Sequence, residues 1–367
     1  MHKILESLSL RGVNLCNRMG LAPMTMYCSE DGTLTDWHYV HYASRSQGTG
    51  LVLVEATAVS ESGKVTPHDL GLWDDKFILP LKRLTDFIHN QNAVAGIQLS
   101  HGGRKASRTR PWDGDIWIKP EDNGWETFAP TALAFSAGYP IPKELNVDEI
   151  QEIKADFKMA ARRALEAGFK LIEIHAGHGR LFHSFYSNLS NRRSDMYGGS
   201  FENRIRLLVE VVETIRNEWP EEMPLMVRLS CVDWIDGGWS INDTIKLSTV
   251  LKSKGVDIID CSSGGIERPI TKTVYPGYQV PFAAQIKKET GILTAAVGLI
   301  SDAHQAADII ESNSADLILF GRKMLVNPQF PLYIANKLKP HSIFNPLQYQ
   351  RAFRSVEQQQ REFIPEL

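Results

Sequence analysis

Short apolar runs recur along the whole chain, each about as long as one β-strand and apolar at successive positions. In order they are RMGLAPM, GLVLVEATAV, VAGIQLS, KLIEIHAG, PLMVRLS, DIIDCSSGG, LTAAVGL and DLILFGR, starting at residues 18, 50, 94, 170, 224, 257, 293 and 316. Unbroken runs of this kind suit parallel strands covered on both faces. Between them the period changes. Residues 147–168 set Ile150, Ile153, Phe157, Ala160, Ala161, Ala164 and Leu165 at helical spacing. Residues 201–219 do the same with Ile205, Leu208, Val212, Ile215 and Trp219. Ser301, just before DAHQAADII, reads as the cap of a further helix. Eight strands alternating with helices predict an α/β protein built as a single (β/α)8 TIM barrel, with a doubly wound sheet as the structural alternative.

Two stretches leave this rhythm. Residues 107–145 are rich in Pro, Gly and Trp and have no clear period, which predicts an excursion over the barrel mouth after strand 3. From Pro340 onward the strand–helix beat is gone. The expected organisation is a barrel over residues 1–340 and a C-terminal tail over 341–367.

Composition adds exclusions. With 367 residues, 43% hydrophobic and 23% charged, the chain has the profile of a soluble globular protein. A net charge of −3 gives no general attraction to nucleic acid or to an anionic membrane. Cys16, Cys28, Cys231 and Cys261 form no CxxC pair, so neither a zinc cage nor a disulfide framework is expected, and a reducing cytoplasm is the simple expectation. The opening MHKILESLSL carries charges and no long apolar run, which argues against a signal peptide, and no stretch is long enough to span a bilayer.

Barrel enzymes carry their chemistry at the C-terminal ends of the strands. Here those ends bring Thr25, Glu55–Thr57, Gln98 and His101, His175 and His178, Arg228, Ser262 and Ser263, Gly298, and Gly321 with Arg322 toward one mouth. Gly298 and FGRK (320–323) follow strands seven and eight, where such barrels often bind phosphate; ordinary glycine turns with a surface arginine are the plain alternative. No GxGxxG follows a strand and no Walker sequence is present, so a separate dinucleotide domain is not expected. The stretch IEIHAGHGRLFHSF (172–185) puts two histidines three residues apart. A metal would need a third ligand, and HxxH on a strand end does not present both rings as a helical HExxH does. A buried structural pair is one reading; two imidazoles donating to one carbonyl or oxyanion suit a strand end best.

Several stretches, in order, resemble the Old Yellow Enzyme family of FMN-dependent NAD(P)H oxidoreductases, the xenobiotic reductase and YqjM-like branch in particular. They are LAPMTMY, DGTLTDWHYVHYASRSQGTG, QLSHGGRKAS, GWETFAPTALAF, SNRRSDMYGGSFENR and FGRKMLVNP. The resemblance covers nearly the whole chain. It implies FMN across the mouth, with Pro23, Met24, Thr25, Ala56 and Gln98 against the ring. Arg228 would lie near N1 and O2, where its charge favours the reduced flavin. Val297, Gly298, Gly321 and Arg322 would hold the phosphate. His175 and His178 would grip a substrate carbonyl, and Tyr27 and Lys105 match residues near the substrate. NADPH or NADH would reduce the flavin and then give way to an electron-poor alkene or nitro compound in a ping-pong cycle. No metal is implied.

Two positions depart from the pattern. Thr25 stands where the YqjM-like branch usually has cysteine. Arg180 stands where the family's proton-donating tyrosine is expected, and a guanidinium that stays protonated cannot act as an acid near neutral pH. Arg180 is then either a loop arginine in a site that draws its proton from solvent or a cation that binds an anionic substrate group. Tyr27, Tyr186 and His183 are candidate replacement acids. Nitro reduction, isomerisation, dehydrogenation and a flavin-based ligand sensor remain alternatives to alkene reduction. The tail PLQYQRAF resembles endings in which an arginine enters the neighbouring subunit's site; this implies a homodimer or a dimer of dimers with Arg351 in that role.

Overall fold

The computed structural model describes residues 2–267, 274–339 and 344–353. Among these, eight parallel strands close into a barrel in sequence order: β1 Met19–Leu21, β2 Leu51–Ala58, β3 Val94–Ser100, β4 Leu171–Ala176, β5 Leu225–Ser230, β6 Ile258–Ser262, β7 Leu293–Ala296 and β8 Leu317–Phe320. Every neighbouring pair is parallel, and β8 pairs with β1 to complete the ring. The eight apolar runs each hold one of these strands.

Side chains alternate across the strand, so one strand feeds two cores. On β4, Ile172 and Ile174 pack outward against the helices, while Leu171 lies inward with Leu51, Leu53, Met226, Ile258, Leu317 and Leu319. That inner cluster is closed from below by a hairpin, Leu8–Leu10 paired with Val13–Leu15, whose Leu8, Leu10, Val13 and Leu15 belong to it. The next inward positions, Gln98, Glu173, Arg228 and Asp260, are polar. Period two therefore stacks a polar tier on an apolar plug, directly below the mouth.

The outer layer comprises α1 Asp36–Ser46, α2 Ile78–Asn90, α3 Val147–Glu166, α4 Leu181–Tyr186, α5 Phe201–Glu218, α6 Ile241–Ser253, α7 Val280–Thr290, α8 Ala303–Glu311, α9 Arg322–Val326 and α10 Phe330–Leu338. α3 starts in a capping box, Asn146 accepting from the Glu149 N–H and Glu149 accepting from that of Asn146. The cap of α8 is Asp302, which accepts from the His304 and Gln305 N–H groups, not Ser301 as the sequence suggested; a carboxylate one residue later reaches two free donors. The excursion at 107–145 holds short 3-10 turns and one small parallel pair, Phe128–Ala129 with Lys143–Glu144. No helix among the described residues is long and apolar enough to cross a membrane.

Phe157 of α3 is fully buried and meets Phe182 of α4 at 5.0 Å between ring centroids. This contact ties the longest helix to the segment that follows the histidines. Phe157→Ala is expected to lower unfolding stability by about 3–5 kcal/mol, the usual range for removing a buried aromatic ring. Urea unfolding midpoints of the two proteins measure it.

Candidate active site

His175 ends β4 facing inward, and His178 follows in the loop with φ +57. Their rings meet edge to face, 5.1 Å between centroids. His175 Nδ1 accepts from the Gly177 N–H at 3.2 Å, so Nε2 carries the hydrogen and points at His178 Nδ1, 3.3 Å away. His178 Nε2 then faces Ser262 Oγ at 2.6 Å. Burial, with Arg180 next in weight, pushes the His175 pKa well below the ordinary histidine value; burial and then Arg228 do the same to His178. Two neutral rings result, each with one N–H occupied by a partner that a ligand oxygen could replace.

Lys105 is bound to the carbonyls of His178 and Gly265, at 2.6 and 2.8 Å, and its ammonium lies 4.0 Å from the Phe135 ring centroid. It fixes the histidine loop. The Arg180 guanidinium donates to Ser100 Oγ at 2.7 Å, its one side-chain hydrogen bond among the described residues, and it shares its field with Tyr27 and buried Asp69. Tyr27 (φ +54) packs edge to face on Trp112, and burial raises its pKa while Arg180 lowers it.

The other candidate acids are occupied elsewhere. His183 accepts from the Gly179 N–H and faces Asp233 at 2.7 Å; Tyr186 donates to the Ser230 carbonyl and accepts from its N–H. Both are fully buried. Glu55 and His101 do not open on the mouth either. A register shift between Val54 and Ala56 accompanies Glu55, which accepts from Met26 N–H and Tyr42 OH. Burial raises its pKa to about 8. His101, held near 4 by burial, accepts from the Gly103 N–H. These groups shape the site from behind, and no pattern in the sequence shows which way their side chains turn.

At the ends of β7 and β8 lies a cavity of about 300 Å³, lined in part by Val297, Gly298, Gly321, Arg322, by Lys323 of the FGRK stretch, and by one residue that the sequence did not point to, Ser301. Gly298 sits at φ +120, a conformation reserved for glycine. A Cβ on Gly321 would project into this hollow, with only Met24 Sδ inside 4 Å. A cationic, small-walled hollow fits a phosphate. Toward the barrel axis, Gln98 donates to Glu173 at 2.5 Å and keeps its amide oxygen free of protein partners among the described residues. The Arg228 side chain lies 3.2 Å from Asp260 through Nε, an atom without a hydrogen-bond partner among the described residues. Pro23, after β1, and Ala56, within β2, are buried, while Met24 and Thr25 are half-buried in the loop after β1. This set of polar groups, one amide with a free acceptor oxygen, one guanidinium and a phosphate-sized cradle, fits FMN.

The profile of the NADH:flavin oxidoreductase / NADH oxidase family matches residues 3–340. The chain belongs to this family. A NADPH dehydrogenase of Listeria monocytogenes is 44% identical over 96% of this chain and all of its own length. A NADH:flavin oxidoreductase of Gibberella zeae is 44% identical over 92% of this chain and 86% of its own. Among solved structures, the Old Yellow Enzyme homologue of Zymomonas mobilis overlays with a TM-score of 0.77 at 27% identity, covering 91% of this chain and 93% of that one. A 2-naphthoyl-CoA reductase complex overlays at 0.83 with 24% identity, a likeness of fold; this chain, 92% covered, spans 52% of that longer one. The protein is thus an FMN-dependent oxidoreductase of the Old Yellow Enzyme type that takes its electrons from a nicotinamide nucleotide.

Arg351 is exposed in a 3-10 turn, Leu347–Phe353. The preceding residues 344–348 line a groove with Cys16, Gly48 and Asn92, which lie just before β1, β2 and β3. Paired amides of Asn336 and Asn345 hold this segment. It therefore runs along the floor of the barrel, opposite the mouth. Residues 354–367 of the tail lie outside the described residues.

Because both site histidines have depressed pKa values, they are neutral at physiological pH and take up protons only well below the usual pH of about 6.5. Their ring resonances, assigned by His175→Gln and His178→Gln, are expected to stay at neutral-imidazole positions from pH 8 down to about 6 in NMR spectra, while an exposed histidine titrates.

Proposed function

We propose that this enzyme reduces electron-poor C=C bonds in a ping-pong cycle, NADPH or NADH and the acceptor taking turns at one mouth, and that it favours acceptors bearing an anionic group. The neutral, mutually bonded pair His175–His178 is the observation that carries this reading. FMN, when bound, supplies the two-electron transfer. Gln98, Thr25, Ala56, Pro23 and Met24 would bind its ring, Arg228 its electron-rich edge, and Val297, Gly298, Gly321 and Arg322 its phosphate.

The acceptor oxygen would take the N–H of His175 from His178 and the N–H of His178 from Ser262. Neutral imidazoles suit this role because they donate to an oxygen that gains negative charge during the reaction without protonating it beforehand. The α-carbon then needs a proton. Arg180 cannot give one, so Tyr27 or water supplies it. The remaining N–H groups of Arg180, without protein acceptors among the described residues, are instead suited to a carboxylate or phosphate on the acceptor. Lys105 acts as a positioning residue through the His178 carbonyl.

The position of residues 344–348 on the barrel floor supports a role for Arg351 in a neighbour's site rather than its own, with the barrel at 1–340 and the tail 341–367 at a homodimer interface or within a dimer of dimers.

The purified protein is expected to be yellow and to bleach with NADPH or NADH without air, and an enone should then yield the saturated ketone. A rearranged or newly unsaturated product would favour an isomerase or dehydrogenase instead. Arg180→Tyr should speed the oxidative half-reaction with 2-cyclohexenone by on the order of tenfold or more, given the roughly 10²–10⁴-fold a general acid typically contributes. Flavin reduction should stay nearly unchanged in the same stopped-flow experiment. Arg351→Ala is expected to alter acceptor kinetics in a protein that elutes as a dimer or larger; a monomer with unaltered kinetics would rule out the shared site.

A further inference from the structure

The polar tier inside the barrel holds two carboxyl groups and one guanidinium, and its hydrogen bonds do not close. Glu173 and Asp260 are both fully buried. Glu173 Oε1 accepts from Gln98, but Glu173 Oε2 and both oxygens of Asp260 have no donor among the described residues. Arg228 Nε, 3.2 Å from Asp260 Oδ2, is too poorly aligned to count as one. The two carboxyl groups touch each other.

Two ionised carboxylates in contact, away from water, repel one another, and a single guanidinium offsets only one of them. One proton resolves the whole arrangement. Placed on Glu173 Oε2, it makes that atom a donor and gives one Asp260 oxygen a bond to accept. The other Asp260 oxygen is left for Arg228, and the tier becomes neutral.

We propose that Glu173 and Asp260 hold one proton between them, carried by Glu173, so that Asp260 alone sets how much of the Arg228 charge reaches the flavin and hence how strongly the site favours the reduced cofactor. Burial raises both carboxyl groups above the ordinary carboxylate range; Asp260 then drives Glu173 further up, to well above it, whereas Arg228 and next the Glu173 contact pull Asp260 back down. The strand register explains the choice of residue: Glu173 is paired with Gln98 on one side, and Asp260 with Arg228 on the other. The role given to Asp260 rests on the proposed seating of FMN at this mouth beside Arg228; the location of the proton does not.

The test compares holoenzyme, Glu173→Gln and Asp260→Asn by anaerobic equilibration with a reference dye. Glu173→Gln replaces a neutral donor by a neutral donor, and the preference for reduced over oxidised FMN should stay within about twofold. Asp260→Asn frees the Arg228 charge, and the preference should rise at least tenfold, about 30 mV for a two-electron couple. A comparable rise in Glu173→Gln would show that Glu173 is ionised and overturn the proposal, as would an unchanged potential in Asp260→Asn. Infrared difference spectra of wild type minus Glu173→Gln at neutral pH should contain a carboxylic-acid C=O band that shifts in D2O; its absence overturns the proposal even if Asp260→Asn does not fold. A protein that binds no FMN would defeat the functional reading, while the infrared band would still report on the proton.

Discussion

The alternation of side chains along a parallel strand is the constraint on which the rest of this molecule depends. Once eight such strands close, every second residue points into a space that cannot be hydrated and must be filled. At the lower positions the filling is Leu171, Met226, Ile258 and their neighbours, sealed by the N-terminal hairpin. Two residues higher on the same strands come Glu173, Arg228 and Asp260, and two higher again His175, Ser230 and Ser262. The order of residues along each strand is thus also an order of depth, from packing at the floor to chemistry at the rim.

Polar groups at the rim are held by a further set of hydrogen bonds around and beneath them. Glu55 accepts from the Met26 N–H and so anchors the loop that carries Met24, Thr25 and Tyr27. Ser230 accepts from the His178 N–H and donates to the Gly264 carbonyl. His183, Asp233 and Ser187 form a closed set beneath the same loop. A site built in this way loses little freedom when it binds, because its backbone was fixed during folding.

The strands were legible in the sequence because a barrel strand is apolar on both faces and so stands out as an unbroken run. The long helices were legible from their period. The hairpin at Leu8–Leu10 and Val13–Leu15 was not, since three-residue strands are too short to show a pattern. Nor was α4, LFHSFY, whose six residues are all buried and leave no polar face to set a period. The histidines and Arg228 could be placed at strand ends by counting. The direction of a side chain in a loop could not: His183 and Tyr186 are close to His175 in sequence, yet turn into the core. Glu55 turns away because the β2 ladder slips by one residue there. The flavin itself was legible only through resemblance, because no spacing of residues alone distinguishes its phosphate cradle from an ordinary pair of glycine turns.

The Lys105 ammonium joins two segments that come from different strands, the loop after β4 through the His178 carbonyl and the loop after β6 through that of Gly265. The two backbones are already in contact: a Cβ on Gly265, whose φ is +95, would fall 2.6 Å from the His178 Cα. At these residues the wall is held from both sides. Across the mouth, Tyr27 leans edge to face on the exposed ring of Trp112, which belongs to the long excursion between β3 and β4. Differences in which molecules this enzyme admits would be written in that excursion, and differences in what it does to them in the strands.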